Sequence, residues 1–220
     1  SQSKENLSSH RLGDFRRCPL LYFKKLKGLI ADKDSIAYSF GRAAHTLILE
    51  GWQTFESEYA VGGPVNPKTG KPFGSTTEMF ADWAATAGKP VITSDELVTL
   101  ELMERAVLMH PFAPALIADG IAEGVCRVEY CGIPCQIRMD YLRLETVGQR
   151  PEKDYSLKST VSGLSFVDLK SCEDMDKFEF DARRYGYLHQ VAFYRSVLKE
   201  ASGIEADVHI IAVEKREPYR

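Results

Sequence analysis

The stretch FVDLKSCED, Phe166 to Asp174, sets one acid and one base two residues apart inside an apolar run. Buried strands ordinarily avoid charge. Side chains on a strand alternate between its faces. Phe166, Asp168 and Lys170 are therefore expected on one side, with Val167, Leu169 and Ser171 on the other. Asp168 and Lys170 then lie side by side, roughly 7 Å apart at their backbones. On this stretch alone two readings stand: an ion pair on the outer face of a half-buried strand, or a charged pair kept for chemistry.

The chain of 220 residues is long enough for one domain with a substantial core. A 44% hydrophobic and 27% charged composition places it among globular chains rather than disordered or fibrous ones. No run of eighteen apolar residues occurs, so neither a transmembrane helix nor a membrane partner is expected. The opening SQSKENLSSH lacks the apolar centre of a signal peptide. The five cysteines are odd in number and form no CxxC pair, which points to reduced thiols and a cytoplasmic location. Cys126, Cys131 and Cys135 suit a strand pair better than a metal knot. A net charge of −3 argues against binding DNA through bulk charge. It leaves room for an enzyme with a local basic groove and an acidic metal site.

Working outward from Phe166, the segment GVCRVEYCGIPCQIRMDYLRL reads as a β-hairpin turning near Cys131-Gly132. Gln136, Arg138 and Asp140 share one face of its second strand. Residues Glu145 to Gly163 read as a polar loop, and a strand follows over about 164–170. The sequence predicts one helix from Asp176 to about Ser202, then a core strand over ADVHIIAVE.

Upstream, LSSHRLGDFRRCPLLYFKKLKGL begins with a helix capped by Ser8 or Ser9. It carries Arg16, Arg17, Lys24 and Lys25 against one acid, Asp14. That charge reads either as a solvated face or as an edge touching phosphates. YSFGRAAHTLILEGW is a second helix ended by Gly51. The region of about 52–92, with the turn-rich PVNPKTGKPFG at its centre, reads as an insertion containing a short helix. Thr93 and Glu96 make a capping box for a long helix stopped by Pro111. The whole is expected to be a single α/β domain over 1–220, helices packed around a mixed sheet. A further element is expected beyond the turn that Glu217-Pro218 begins.

If the strands bearing Asp140 and Asp168 are neighbours, two carboxylates meet. Paired hard oxygens suit Mg²⁺ or Mn²⁺. Lys170 beside them is suited to hold a phosphate or help deprotonate water. This is the equipment of phosphodiester hydrolysis.

Asp140 followed by Asp168-Leu169-Lys170 resembles the PD-(D/E)xK nuclease superfamily, whose core is a mixed central β-sheet flanked by helices. GRAAH at His45 and HQVAFYR, with Gln190 and Tyr194, are similar to the Gly-x-x-x-His and Gln-x-x-x-Tyr motifs of its RecB-like branch. Five segments in order, GRAAHTLILE, ERAVLMHPFAPALI, CQIRMDYL, VDLKS and YGYLHQVAFYRSVL, resemble RecE-type (exonuclease VIII) phage and prophage nucleases.

The resemblance implies Mg²⁺-dependent digestion of double-stranded DNA, 5′ to 3′, leaving 3′ tails for a RecT-like single-strand annealing protein. It implies a homo-oligomer. It makes His45, Asp140 and Asp168 metal ligands with the Leu169 carbonyl, and Lys170 the residue that positions or activates water. Gln190 and Tyr194 would hold the DNA strand, and Arg138 would meet the scissile phosphate. Glu129 is a candidate for a second ion, or a solvent-facing strand residue. Ser171 stands where the family often has a small hydroxyl. Cys18-Pro19 resembles the first cysteine of an iron–sulfur subgroup. The later cysteines of that subgroup are absent, so no cluster is expected. A restriction- or repair-type endonuclease and a non-catalytic DNA-end-binding module remain alternatives on the same fold.

Overall fold

The computed structural model describes residues 6–31, 36–146 and 161–220. The first five residues and most of the loop expected at 145–163 lie outside them. In chain order the first elements are α1 (Ser9–Arg17), α2 (Pro19–Leu26) and α3 (Ile36–His45), the last continued by a π-helical turn at Thr46–Glu50. Then come α4 (Trp52–Glu58), β1 (Ala60–Val61), α5 (Glu78–Ala87), β2 (Val91–Ile92), α6 (Ser94–Met109) and α7 (Ala113–Leu116). The long strands β3 (Gly120–Tyr130), β4 (Ile133–Thr146) and β5 (Val161–Cys172) follow. A 3₁₀ turn at Met175–Lys177, α8 (Phe178–Tyr185), α9 (Tyr187–Ser202) and β6 (Asp207–Glu214) complete the chain.

These residues group into two compact units. One holds Ser1–Lys33, Phe112–Lys170 and Met175–Ala212; the other holds Asp34–Pro111, Ser171–Asp174 and Val213–Arg220.

The first unit is built on a sheet of order β3-β4-β5-β6. β3 and β4 form the expected hairpin. Its two turn residues, Cys131 and Gly132, both take positive φ, 52° and 73°, which matches the right-handed twist of the flanking strands. β4 and β5 are antiparallel, with Tyr141 opposite Val167 and Leu144 opposite Leu164. Ile137 and Met139 of β4 and Phe166 of β5 pack with Phe193, Val197 and Leu198 of α9. Phe166 and Val197 are fully buried, so truncating either to alanine is expected to cost about 2–5 kcal/mol.

Two helical segments depart from the sequence expectation. The N-terminal one is broken: Ser8 caps α1, Cys18 is extended at φ −163°, and Pro19 opens α2, where its missing N–H costs nothing. The single helix predicted from Asp176 is likewise split. Gly186 sits at φ 76° between α8 and α9, a conformation that side-chain-bearing residues adopt only with strain.

In the second unit α6 begins with the capping box of Thr93 and Glu96. Its buried Leu100, Met103 and Val107 face inward, and the helix packs on α3 and the π-helical turn. Phe55 stacks on Tyr59 at 5.1 Å. The region 52–92 lies here, and contains α4, α5 and the parallel pair β1–β2. Its turn-rich centre is tied by Asn66 N–H to the Lys71 carbonyl and Gly70 N–H to the Asn66 carbonyl, each 2.8 Å.

Candidate functional site

β5 answers the question posed by its sequence. Phe166, Val167, Asp168 and Leu169 are each at most 1% exposed, so the strand is covered on both faces. The reading of Asp168 and Lys170 as an outer-face ion pair is therefore overturned. Lys170 Nζ donates to Asp168 Oδ1 at 2.7 Å, and the lysine side chain is only 14% exposed. Burying such a pair is costly unless further partners satisfy it.

Those partners come from two elements. The β4–β5 ladder runs as far as Tyr141 and Val167. One step further on, the carboxylate of Asp140 takes the place of a strand carbonyl: its Oδ2 accepts the Leu169 N–H at 2.8 Å. From α9, Gln190 Nε2 lies 3.3 Å from Asp168 Oδ1 and 3.2 Å from Tyr194 Oη. The spacing of four along the helix puts Gln190 and Tyr194 on one face. Tyr194 in turn accepts from Ser9 Oγ at 3.2 Å. Of the pair to which the resemblance assigns a role on DNA, Gln190 meets the carboxylate of Asp168 and Tyr194 meets Gln190.

Burial pushes the Asp140 carboxyl above its usual range, although the nearby Lys170 ammonium, the Leu169 N–H and Arg138 oppose that rise. For Lys170 burial works to lower the pKa, but Asp168 and Asp140 outweigh it, and the amine is held above the ordinary lysine range. The charged form of Lys170 is thus favoured by the two carboxylates beside it.

β3 adds a carboxylate that the sequence reading missed. Ala122 pairs with Tyr141 and Gly124 with Met139, which sets Glu123 opposite Asp140. Their carboxylate oxygens come within 4.8 Å of each other. Glu123 has φ 54°, unusual for a residue with a side chain. It also accepts from Arg138 Nε at 2.8 Å. Arg138 is more than half exposed, so it is accessible as well as paired. Glu129, the acid singled out on this strand, instead pairs with Pro134 beside the hairpin turn. Counting back from the Cys131-Gly132 turn would have identified position 123. His45 ends α3 in the second unit and is half-buried. Ser171 is half-buried.

The donor set suits a hard divalent cation. Glu123 and Asp140 offer two carboxylates within reach of one ion, and oxygen ligands of this kind suit hard divalent cations rather than softer metals. A carboxyl whose burial disfavours its charge is also one that a cation would relieve.

A sheet carrying an aspartate on one strand and Asp-x-Lys on the next, backed by a helix with Gln-x-x-x-Tyr, defines the PD-(D/E)xK nuclease fold. The chain belongs to the family described as a PDDEXK-like domain of unknown function (DUF3799), whose model matches residues 8–149 and 157–220. Among solved structures it is similar to a Eubacterium rectale protein named "Putative exonuclease". The TM-score is 0.64 at 18% identity, over 99% of this chain and 71% of that one. At that identity the likeness is one of fold. No curated protein matches the chain in sequence.

Proposed function

We propose that this chain is a divalent-metal-dependent deoxyribonuclease that digests double-stranded DNA from an end, 5′ to 3′. Its product would be a 3′ single-stranded tail for a single-strand annealing partner. The observation that carries the hydrolytic reading is the buried Lys170–Asp168 pair beside Asp140. Membership of a PDDEXK-like family and the likeness in fold to a protein named as an exonuclease support it. End-directed digestion, its polarity and a homo-oligomeric state come from the resemblance to RecE-type nucleases.

Asp140, Asp168 and Glu123 would hold the cation, with the Leu169 carbonyl and His45 assigned on their motifs. When bound, the cation supplies charge neutralisation at phosphorus and a more acidic water. The chain's own groups do the rest. Lys170, an ammonium held by Asp168, donates to a phosphate oxygen and offsets the charge that builds there. Gln190 keeps Asp168 in the rotamer that meets Lys170. Arg138, exposed at the edge of the site, is placed to draw in a phosphate as it exchanges partners with Glu123.

The test is digestion of linear and closed-circular duplex DNA with Mg²⁺, wild type against Lys170→Ala. Nucleotide release from linear DNA alone, lost in the variant, is the expected result. Cutting of closed circles would replace the exonuclease with an endonuclease. Binding of duplex ends with no hydrolysis in Mg²⁺ or Mn²⁺ would leave a DNA-end-binding module.

A further inference from the structure

Beside the carboxylates lies a set of aromatic rings that hydrolysis itself does not require. Lys170 Nζ stands 5.0 Å from the ring centroid of Tyr187. Tyr187 is flanked by Tyr185 at 5.9 Å and 31° and by Phe178 at 6.2 Å and 34°. The planes of the flanking rings are thus close to that of Tyr187, as in a tilted stack. The guanidinium of Arg184 sits 5.7 Å from the Tyr185 ring. The positive φ of Gly186 turns the chain between Tyr185 and Tyr187, so one helix end and the next helix start each contribute a ring. The array runs from Tyr187, half-buried against the catalytic lysine, to Tyr185, which is 62% exposed.

We propose that this array is a stacking platform for the bases of an unpaired strand next to the scissile phosphate, with Tyr185 as its solvent-facing step. The proposal depends on the nuclease reading and adds to it what the site recognises besides phosphate. The chemistry favours a base over other occupants. Aromatic faces flanked by a cation hold successive bases of single-stranded nucleic acid in a sequence-tolerant way. The α8 segment FEFDARRY is balanced, its two acids offsetting its two arginines. Glu179 is already paired with Arg183 at 2.6 Å. Bulk attraction to the backbone of a duplex is therefore weak here, and the π faces are the distinctive feature. Continuity with Lys170 places the ligand: a strand whose phosphate lies at the ammonium has its neighbouring base within reach of Tyr187 and Tyr185. An enzyme working at an end meets such bases whenever the terminal pairs open.

The experiment is equilibrium binding to a duplex with a short overhang carrying 2-aminopurine and to the same duplex with blunt ends. Ca²⁺ replaces Mg²⁺, so that cleavage does not intervene. Wild type is compared with Tyr185→Ala, Tyr185→Phe and, as a control on the same exposed helix, Phe180→Ala. Stacking predicts quenching of 2-aminopurine by wild type, Tyr185→Phe and Phe180→Ala. It predicts about five- to hundredfold weaker overhang binding by Tyr185→Ala, with a smaller loss on the blunt duplex, whose end bases are unpaired only while the terminal pairs are open. Equal overhang affinity and quenching in Tyr185→Ala would overturn the platform and leave the nuclease reading intact, with the rings then free for a protein partner. Failure of wild type to bind either DNA would overturn both.

Discussion

Ser9 and Tyr194 stand 185 positions apart in the chain and are joined by one hydrogen bond of 3.2 Å, Ser9 Oγ to Tyr194 Oη. The bond ties the first turn of α1 to α9, and through Gln190 it reaches the carboxylate of Asp168. The N-terminal helix is thus linked to the buried carboxylate of Asp168 on β5.

Replacing Ser9 by alanine removes a donor from a buried hydroxyl. It is expected to lower stability by about 0.5–1.5 kcal/mol. If Gln190 then holds Asp168 less firmly, kcat falls several-fold while KM stays near its wild-type value. Ser9→Thr should restore both. Steady-state kinetics on linear duplex DNA, alongside thermal melts of the three proteins, checks this; an unchanged kcat in Ser9→Ala would show that the relay ends at Tyr194.

Removing the ammonium of Lys170 leaves Asp168 as a buried charge without its main counter-ion. Lys170→Ala is expected to lose about 3–5 kcal/mol of stability. A divalent cation can take over part of the lost charge, so Mg²⁺ should raise the Tm of this variant more than that of wild type. A melt with and without Mg²⁺ reads the difference independently of catalysis.

Asp140 has a carboxyl pKa raised mainly by burial. Below the unfolded value both states carry the proton and no difference arises. As pH rises from the unfolded value through the raised folded one, the folded state must ionise a buried group and loses stability. Asp140→Asn cannot ionise, and its amide oxygen still accepts from Leu169. The variant should therefore be as stable as wild type or more so at neutral pH without metal, yet lose about 10²-fold or more in activity. Urea melts at mildly acidic and neutral pH, with activity assays, test both parts. In wild type, Mg²⁺ affinity should increase over the same pH range, because the cation competes with a proton.

Glu123 and Glu129 lie on the same strand, but only Glu123 stands opposite Asp140. Glu123→Gln should weaken Mn²⁺ binding about tenfold or more, while Glu129→Gln leaves it unchanged. Calorimetric titration of Mn²⁺ into the metal-free variants separates them, and equal losses would remove Glu123 from the ligand set.

Much of this arrangement was legible in the chain. Alternation in the segment up to Asp140, the Asp-x-Lys spacing and the Gln-x-x-x-Tyr pair are local patterns, and local patterns survive without knowledge of the fold. What escaped depends on pairing. The burial of Asp168 follows from both faces of β5 being covered, which one strand's sequence does not display. Glu123 emerges only when β3 is registered against β4. The contacts of Gln190 need α9 placed over β5. The breaks at Cys18 and Gly186 had signals, Pro19 and the glycine itself, that the continuous apolar and charged runs on either side masked.

The π-helical turn after His45 has an evolutionary consequence. A π turn holds one residue more than the α-helical turn it interrupts, and each residue of an α-helix accounts for about 100° of rotation. Leu47 and Ile48, inside the turn, are buried anchors, while His45 lies just before it. The turn ends at Gly51, whose φ of 84° takes the chain out of the helix, so deleting a single residue from Thr46–Glu50 would turn His45 relative to Gly51 and α4. The imidazole would then swing by about a quarter of a circle relative to the elements that follow the turn. One codon's insertion or deletion in this turn would thus redirect the imidazole with the histidine itself untouched.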